Sequence, residues 1–340
     1  MRMVRRVPPL PLPLSQMSIP PDESSSISAG RAEQRIRAAL NGTWIAPEKD
    51  PFDIQSDSLY GAVGGLTLPV PVFELAPGLN LRQTFCHVIA PYIMAFAPPP
   101  GPGRPHPGPW TALGEGGLTV EAEVELLSGV APLAFDRLNT IWFVVALLKL
   151  RLGLSLTVPV IADRPYEVVG RAPERCNLIP LELGAPLVRT AQSRAVSQAD
   201  LQWLRAHLAP AAMLMRDSVF NRAFQTLDRA VAITNPGAGI VIAWAAMEAL
   251  MRPGQHRITE RICRALATML QPPGSKRDRA FTDIAASYEA RGGAAHAGHL
   301  PDSKQFEKTF DLARSAITAT IEAGQLPDIE DLLRRWSQKV

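Results

Sequence analysis

Arg291 and His296 carry the side chains of this sequence best suited to chemistry on a phosphate group. Four residues separate them in the stretch ASYEARGGAAHAGHLPD, residues 286–302. Histidine can move the proton of a ribose 2′-hydroxyl or of a leaving oxygen near neutral pH. Arginine can hold the non-bridging phosphate oxygens and stabilise the charge that develops on them. The pair is therefore suited to cleaving a phosphodiester without a metal ion.

Two glycines, Gly292 and Gly293, stand between the arginine and the histidine in a segment otherwise typical of a helix. Each glycine costs a helix interior about 1 kcal/mol relative to alanine. Residues five apart on a regular helix are displaced by roughly 140° about its axis. We therefore predict a kink or a turn at the two glycines, because such an interruption would let Arg291 and His296 converge on one pocket.

The same spacing occurs a second time, between Arg82 and His87 in LRQTFCH. Arginine is frequent and the chain has 6 histidines, so the spacing by itself is weak evidence. The second copy has no helix-breaking residue between its two side chains. On a regular helix they would point to different faces, and we interpret this pair as structural.

The order of motifs around Arg291 resembles the HEPN superfamily, and in particular the Apea-like HEPN domains. The run AWAAMEALM is followed by an amphipathic helix, a loop and then YEARGGAAHAG. The family pattern is an Ala-Leu-Glu-x-Leu helix followed by Tyr-x-x-Arg-Ser and His-Gly. The resemblance covers about residues 200–335. The residues that fall on the pattern are Glu248, Tyr288, Arg291, His296 and Gly298.

The resemblance implies a metal-independent endoribonuclease in which Arg291 and His296 are catalytic and the RNA product ends in a 2′,3′-cyclic phosphate. It also implies a homodimer in which two R-x4-H motifs face each other across a two-fold interface, with inactive monomers. Many members of the family act as toxins or defence effectors of prokaryotes, in toxin–antitoxin or abortive-infection systems. An N-terminal part that senses a signal or a regulatory protein partner fits this role.

Glu248 lies on a helix that is apolar on almost every face, IVIAWAAMEALM. A carboxylate cannot stay buried and ionised without a partner. We predict that Glu248 pairs with Arg291 or with the nearby backbone and, together with Tyr288, orients the arginine. The alternative is that Glu248 points out of the bundle and is solvated.

The segment between Arg252 and Arg279 is basic and lies just before the motif. It could guide an RNA backbone towards the motif, and the alternative is a solvated helix face with a charged loop. The candidate RNA-binding residues are Arg257, Arg261, Arg264, Lys276 and Arg277.

A second function is left open by Gly292, which stands where active members of the family commonly have a polar residue. This departure favours a catalytically silent HEPN module that binds RNA or a protein partner. We expect no metal and no other cofactor, because His296 and His299 have no third ligand of suitable spacing nearby.

Composition indicates a soluble, globular protein with 46% apolar and 20% charged residues. No apolar run reaches the ~18 residues that span a bilayer, so we expect no membrane partner. The 3 cysteines show no paired spacing, which favours a reducing cytoplasm over a disulfide framework. A net charge of +3 is too small to imply nucleic acid by itself.

The distribution of prolines and of hydrophobic periodicity along the chain predicts an α+β fold in which a mixed domain precedes an all-α bundle. Residues 1–40 begin basic, alternate proline with leucine, and are predicted to be a disordered leader. Residues 41–195 are predicted to form a mixed domain of unknown role. Its elements include the half-buried strand TVEAEVEL, the buried helix LNTIWFVVALLKLRLG and the strand LSLTVPVI. Residues 196–340 are predicted to form the HEPN-like bundle.

Overall fold

All the described strands precede residue 196, and most helices follow it, so the predicted α+β class is confirmed. The computed structural model describes residues 58–90, 116–153, 156–171, 176–181, 194–231, 233, 235–296 and 303–338. The leader predicted over residues 1–40 lies outside these ranges, and so do Gly298 and His299.

Most of the strands form one antiparallel sheet. The strands are β1 (Leu59–Val63), β2 (Leu66–Thr67), β3 (Val72–Ala76), β4 (Leu79–Ala90), β5 (Gly116–Leu126), β6 (Val160–Ala162), β7 (Leu178–Pro180) and β8 (Arg194–Ala195). The sheet has the order β3-β4-β5-β1-β6-β7, while β2 and β8 pair separately in parallel. The predicted strand LSLTVPVI is confirmed only from Val160 onwards; Pro159, just before it, has no amide hydrogen for a ladder.

The strand predicted from TVEAEVEL is present as part of β5, but the prediction that it is half-buried is wrong. Its alternate residues Ala122, Val124 and Leu126 are fully buried in the main core, as the period of two predicts. The opposite face is buried as well, with Glu123 and Glu125 only 1% and 6% exposed. A second apolar cluster, which includes Tyr60 and Tyr166, covers that face.

Arg82 of β4 makes this burial of two carboxylates possible. Its Nη1 donates to Glu125 Oε1 at 2.7 Å, and its Nε lies 3.4 Å from Glu123 Oε1. The backbone N–H of Tyr166 donates to the other Glu123 oxygen at 2.8 Å. Burial still raises the pKa of Glu123, although the Tyr166 hydrogen bond and the Arg82 charge oppose the shift.

Helix α1 (Arg137–Leu152) is the predicted buried helix and lies between the sheet and the later helices. Asp136 caps its first turn by accepting from the N–H of Asn139. Gly153 ends it in the left-handed conformation with φ 65°, which glycine adopts without a Cβ penalty. Almost every side chain of α1 is buried, because other elements cover it on all sides.

The helices that follow residue 195 carry apolar faces at helical spacing, which confirms the predicted helical bundle in the C-terminal region. Phe220, Phe224, Leu227 and Val231 are all buried, as their spacing predicts. The helices after α1 are α2 (Tyr166–Val169), α3 (Gln198–Leu214), α4 (Ser218–Ala230), α5 (Pro236–Met251), α6 (Ile258–Leu270), α7 (Ser275–His296), α8 (Ser303–Ala323) and α9 (Ile329–Ser337).

The change from strands to helices falls near the predicted boundary at residue 195, but the hydrophobic core continues across it. One apolar cluster extends from Leu59 to Leu332. A buried ion pair also crosses the boundary, since Lys149 Nζ of α1 lies 2.5 Å from Asp228 Oδ1 of α4. The sheet and the helices therefore share their core.

Helix α5, which carries Glu248, approaches α8 closely at a glycine. A Cβ at Gly239 of α5 would lie 2.5 Å from Phe306 Cε2 of α8, far inside van der Waals contact. Phe306 is 1% exposed and cannot move away without disturbing the core.

Within the described ranges, no helix has the length and apolar character needed to traverse a bilayer.

Candidate active site

Three side chains from two helices meet at the C-terminal part of α7. Arg291 Nη2 lies 3.4 Å from Glu248 Oε1 of α5. The phenol of Tyr288 donates a hydrogen bond to the same Glu248 oxygen at 3.0 Å. The predicted ion pair between Glu248 and Arg291 is therefore present, and Tyr288 joins it. We call Glu248, Tyr288 and Arg291 the arginine cluster.

Aromatic packing against the core holds the arginine cluster in place. The Tyr288 ring meets the fully buried Trp244 ring edge to face, with centroids 4.7 Å apart. Trp244 Nε1 in turn donates to the carbonyl of Ser287 at 3.2 Å. The Arg291 guanidinium carbon lies 5.5 Å from the centre of the Tyr288 ring. α5 and α7 are thus joined by both apolar and polar contacts at this point.

The other members of the arginine cluster shift the pKa of the Tyr288 phenol. Burial, and then the hydrogen bond to Glu248 and its charge, raise the pKa of Tyr288. The charge of Arg291 and a hydrogen bond with Thr259 act in the opposite direction. The phenol therefore stays protonated at neutral pH and serves as a donor. Thr259 stands at the start of α6, and its polar type alone does not single it out in the sequence.

The Arg291 side chain is 30% exposed, so the cluster lies at the surface of the bundle. Its Nε is buried and has no hydrogen-bond acceptor among the described residues. Its remaining nitrogen atoms leave donor capacity beyond the contact with Glu248. An anion at the surface could use that capacity.

The interruption predicted at Gly292 and Gly293 is not observed. Helix α7 continues through both glycines to His296. On a continuous helix, positions 291 and 296 are displaced by roughly 140° about the axis. The convergence predicted for them within one chain has no support from the helix backbone, and of His296 only the backbone is described. A Cβ at either glycine would meet no atom within 4 Å, so packing does not require glycine at these positions.

Four of the candidate RNA-binding residues are engaged by other protein groups, and three of these four pair with carboxylates. Arg257 and Arg264 pair with Glu260, and Arg264 also lies over Trp336 at 5.8 Å. Arg261 pairs with Glu330 and donates from Nε to the carbonyl of Pro253 at 2.8 Å.

Arg277 is buried, so the prediction that it binds RNA is wrong. It is 5% exposed, and its guanidinium donates to the carbonyls of Gln271 and Arg335 at 3.1 and 3.2 Å. A buried arginine of this kind holds the loop before α7 against the end of α9 and cannot face RNA. Lys276, the neighbouring candidate, is exposed.

The second R-x4-H copy is structural, but the helical geometry assumed for it is wrong. Arg82 and His87 lie on strand β4, where Arg82 pairs with the two buried carboxylates of β5. His87 is exposed, and its Nδ1 lies 3.0 Å from the Thr119 hydroxyl on the neighbouring strand. The local sequence did not reveal the strand because its apolar residues do not alternate cleanly.

Among the residues that the structure describes, no three or more His, Cys, Asp and Glu side chains are grouped closely enough to hold a metal ion. No protein-family model, curated protein or solved structure matches this chain. The function is therefore inferred from the arginine cluster and from the motif order in the sequence.

Proposed function

We propose that this chain is a metal-independent endoribonuclease of the HEPN type that works as a homodimer. The observation that carries the proposal is the contact of Arg291 with Glu248, next to a tyrosine that donates to the same carboxylate. An arginine held on a helix by half-buried partners is suited to binding a phosphate in a fixed orientation. Its partial exposure leaves room for an RNA strand.

The proposed reaction is an internal transesterification. His296 accepts the proton of the ribose 2′-hydroxyl, and the 2′-oxygen forms a bond to phosphorus. Arg291 stabilises the negative charge on the non-bridging oxygens. The bond from phosphorus to the 5′-oxygen then breaks, and that oxygen takes up a proton. The products are a 2′,3′-cyclic phosphate and a 5′-hydroxyl end.

A homodimer supplies the geometry that a single helix does not. Positions 291 and 296 are on different sides of α7 within one chain, but a two-fold axis can bring one protomer's arginine close to its partner's histidine. The proposal therefore requires both protomers for each complete site. The motif resemblance further supports a prokaryotic defence or toxin role with a regulatory protein partner.

A catalytically silent module that binds RNA or protein is the second candidate. The unbroken helix through Gly292 and Gly293 favours it, because no local device brings the arginine and the histidine together. In that case the arginine cluster stabilises the packing of α5 against α7 and has no catalytic role.

The test is cleavage of end-labelled single-stranded RNA in EDTA by the whole chain. We expect cyclic-phosphate ends from the wild type, and a loss of about 100-fold or more in rate for His296→Ala and for Arg291→Ala. The matched control is His87→Ala, which removes the histidine of the second R-x4-H copy and should leave the rate unchanged. RNA that is bound but left intact by the folded dimeric wild type would favour the silent module.

A further inference from the structure

An open groove lies between α7 and α8, and one of its lining residues, Ser287, directly precedes Tyr288 of the arginine cluster. It has a volume of about 670 Å³. Asp283 and Ser287 line it from α7, and Lys304, Gln305 and Lys308 line it from α8. The Ser287 hydroxyl lies 3.1 Å from the buried Thr309 hydroxyl, which ties the two helices together. We call this the α7–α8 groove.

The wall formed by α8 is basic. Lys304 and Lys308 are both exposed and stand one helical turn apart, about 6 Å along the axis. Gln305 adds an amide that can donate or accept. Asp283 contributes a negative charge from the opposite wall. The groove therefore presents two ammonium groups, one carboxylate and neutral hydrogen-bonding groups to a ligand.

The face of α7 that lines the groove is also basic at both ends. Ser287 and Arg291 are four residues apart, so they lie on the same side of α7. Lys276 is seven residues before Asp283, two helical turns away on that same side, and is exposed. Lys276 and Arg291 therefore lie before and after the groove-lining residues of α7, on one side of the helix.

We propose that the α7–α8 groove binds the phosphate backbone of single-stranded RNA and leads it to Arg291. The inference rests on the proposed function for the choice of RNA as the ligand. Ammonium groups at helical spacing attract consecutive phosphates and release their counterions on binding. Contacts of this kind carry no base information, so binding is independent of sequence.

The arginines of α6 do not compete for this role. Arg261 pairs with Glu330, and Arg264 shares Glu260 with Arg257, so these arginines are engaged by carboxylates, whereas Lys304 and Lys308 line the groove. The basic surface open to RNA thus differs from the one that the linear order of residues predicts, and Lys276 is the candidate common to both.

The experiment measures binding of a fluorescent 2′-O-methyl RNA oligonucleotide to the whole chain by anisotropy at several salt concentrations. The 2′-O-methyl groups keep the backbone charge but block attack by the 2′-oxygen, so binding is measured without cleavage. Loss of two phosphate contacts on a single strand should weaken binding about 25-fold at 0.1 M salt and lower the salt slope by about 1.4. We expect this loss of affinity and of salt dependence for the Lys304→Gln/Lys308→Gln double variant.

Three further variants keep the test decisive. Lys304→Arg/Lys308→Arg keeps both charges and should bind like the wild type. Arg222→Gln/Arg229→Gln removes two exposed charges from α4 that do not line the groove, and should have a much smaller effect. Asp283→Asn removes the negative charge on the groove wall and should bind more tightly. Thermal unfolding of each variant shows that it is folded.

Binding by the Gln double variant that equals the wild type in affinity and salt slope would overturn the proposal. Absence of RNA binding by the wild type, or weaker binding by Asp283→Asn, would overturn it too. Failure of the ribonuclease proposal is a separate result. If unmodified RNA is bound through Lys304 and Lys308 but is never cleaved, the groove stands and the catalytic function fails. If RNA is cleaved while the lysine variants bind normally, the catalytic function stands and the groove proposal fails.

Discussion

The guanidinium of Arg291 and the carboxylate of Glu248 are 3.4 Å apart, although 42 residues separate them in the chain and they lie on different helices. Both side chains are less than one-third exposed. The Tyr288 phenol approaches the same carboxylate oxygen, so Glu248 interacts with two partners at once. This arrangement fixes the direction of the arginine more than it stabilises the fold, because a partly exposed pair contributes only about 0–1 kcal/mol.

Glu248→Gln is expected to lower RNA cleavage with little loss of stability. The amide can still accept from Tyr288 but no longer attracts the guanidinium, so Arg291 loses its fixed orientation. The free energy of unfolding, measured in urea, should change by about 1 kcal/mol or less. Arg291→Lys should lose activity as well, since a lysine cannot hold a phosphate through two parallel hydrogen bonds. A Glu248→Gln enzyme with wild-type cleavage would argue against an orienting role.

Mixing Arg291→Ala with His296→Ala is expected to restore cleavage. Each variant alone lacks one half of every site, but a mixed dimer has one site with the arginine of one protomer and the histidine of its partner. After random exchange, half the dimers carry one complete site of two, so activity should reach roughly a quarter of the wild type. Cleavage rates are measured after co-refolding or co-expression. If the mixture stays inactive while mixed dimers are shown to form, a site shared across the interface is excluded.

Alanine at Gly292 and alanine at Gly239 are expected to change stability in opposite directions. At Gly292 a Cβ meets no atom within 4 Å, so Gly292→Ala should stabilise the helix by up to about 1 kcal/mol. At Gly239 the new Cβ would clash with Phe306, so Gly239→Ala should cost about 1–3 kcal/mol. Urea denaturation measures both changes.

The activity of Gly292→Ala separates two explanations for the glycines. A stabilised variant that cleaves RNA normally would show that catalysis does not need flexibility at this position. A stabilised variant with reduced cleavage would show that the backbone must move during the reaction.

Glu123→Gln is expected to remove a pH dependence of stability. Burial raises the pKa of Glu123 in the folded chain above its ordinary value of 4.5. Between the two pKa values the folded state binds more protons than the unfolded state, so the free energy of unfolding falls as pH rises from about 4.5 through the folded pKa. The glutamine resembles the protonated carboxyl and keeps an acceptor for the Tyr166 N–H.

The measurement compares urea denaturation of the wild type and Glu123→Gln at several pH values from 4.5 to neutrality. The stability of the wild type relative to the variant should decrease steadily as pH rises. Glu74→Gln, at an exposed position of β3, serves as the control. A difference that is constant with pH, or that grows in favour of the wild type, would contradict the prediction.

Asp228→Asn is expected to be strongly destabilising. It takes the carboxylate away from the Lys149 ammonium, and the side chains are only 11% and 6% exposed. Removing one member of a buried ion pair typically costs about 3–5 kcal/mol. Arg171→Gln, which breaks the exposed pair with Glu167, is the matched control and should cost about 1 kcal/mol or less. Equal effects of the two variants in urea denaturation would show that burial of Lys149 and Asp228 is not important.

Several features of this protein could be predicted because they depend on neighbours along the chain. The spacing of Phe220, Phe224 and Leu227 fixes one apolar face of a helix wherever that helix packs. Glu248 could be paired with Arg291 because a carboxylate on an apolar helix requires a partner, and few candidates had the right charge and place. The α+β class follows from the same local periodicities.

Other features were decided only by the tertiary structure, because they depend on what covers each element. The alternation in β5 predicts one buried face, but a second apolar cluster and Arg82 cover the other face and bury Glu123. Arg277 is polar by type and buried by position, since backbone carbonyls from distant segments satisfy its guanidinium. Lys304 and Lys308 are ordinary helix residues in the sequence, and only the packing of α8 beside α7 places them on a groove. Periodicity reports which residues share a face, and long-range packing decides whether that face meets the core, a partner or water.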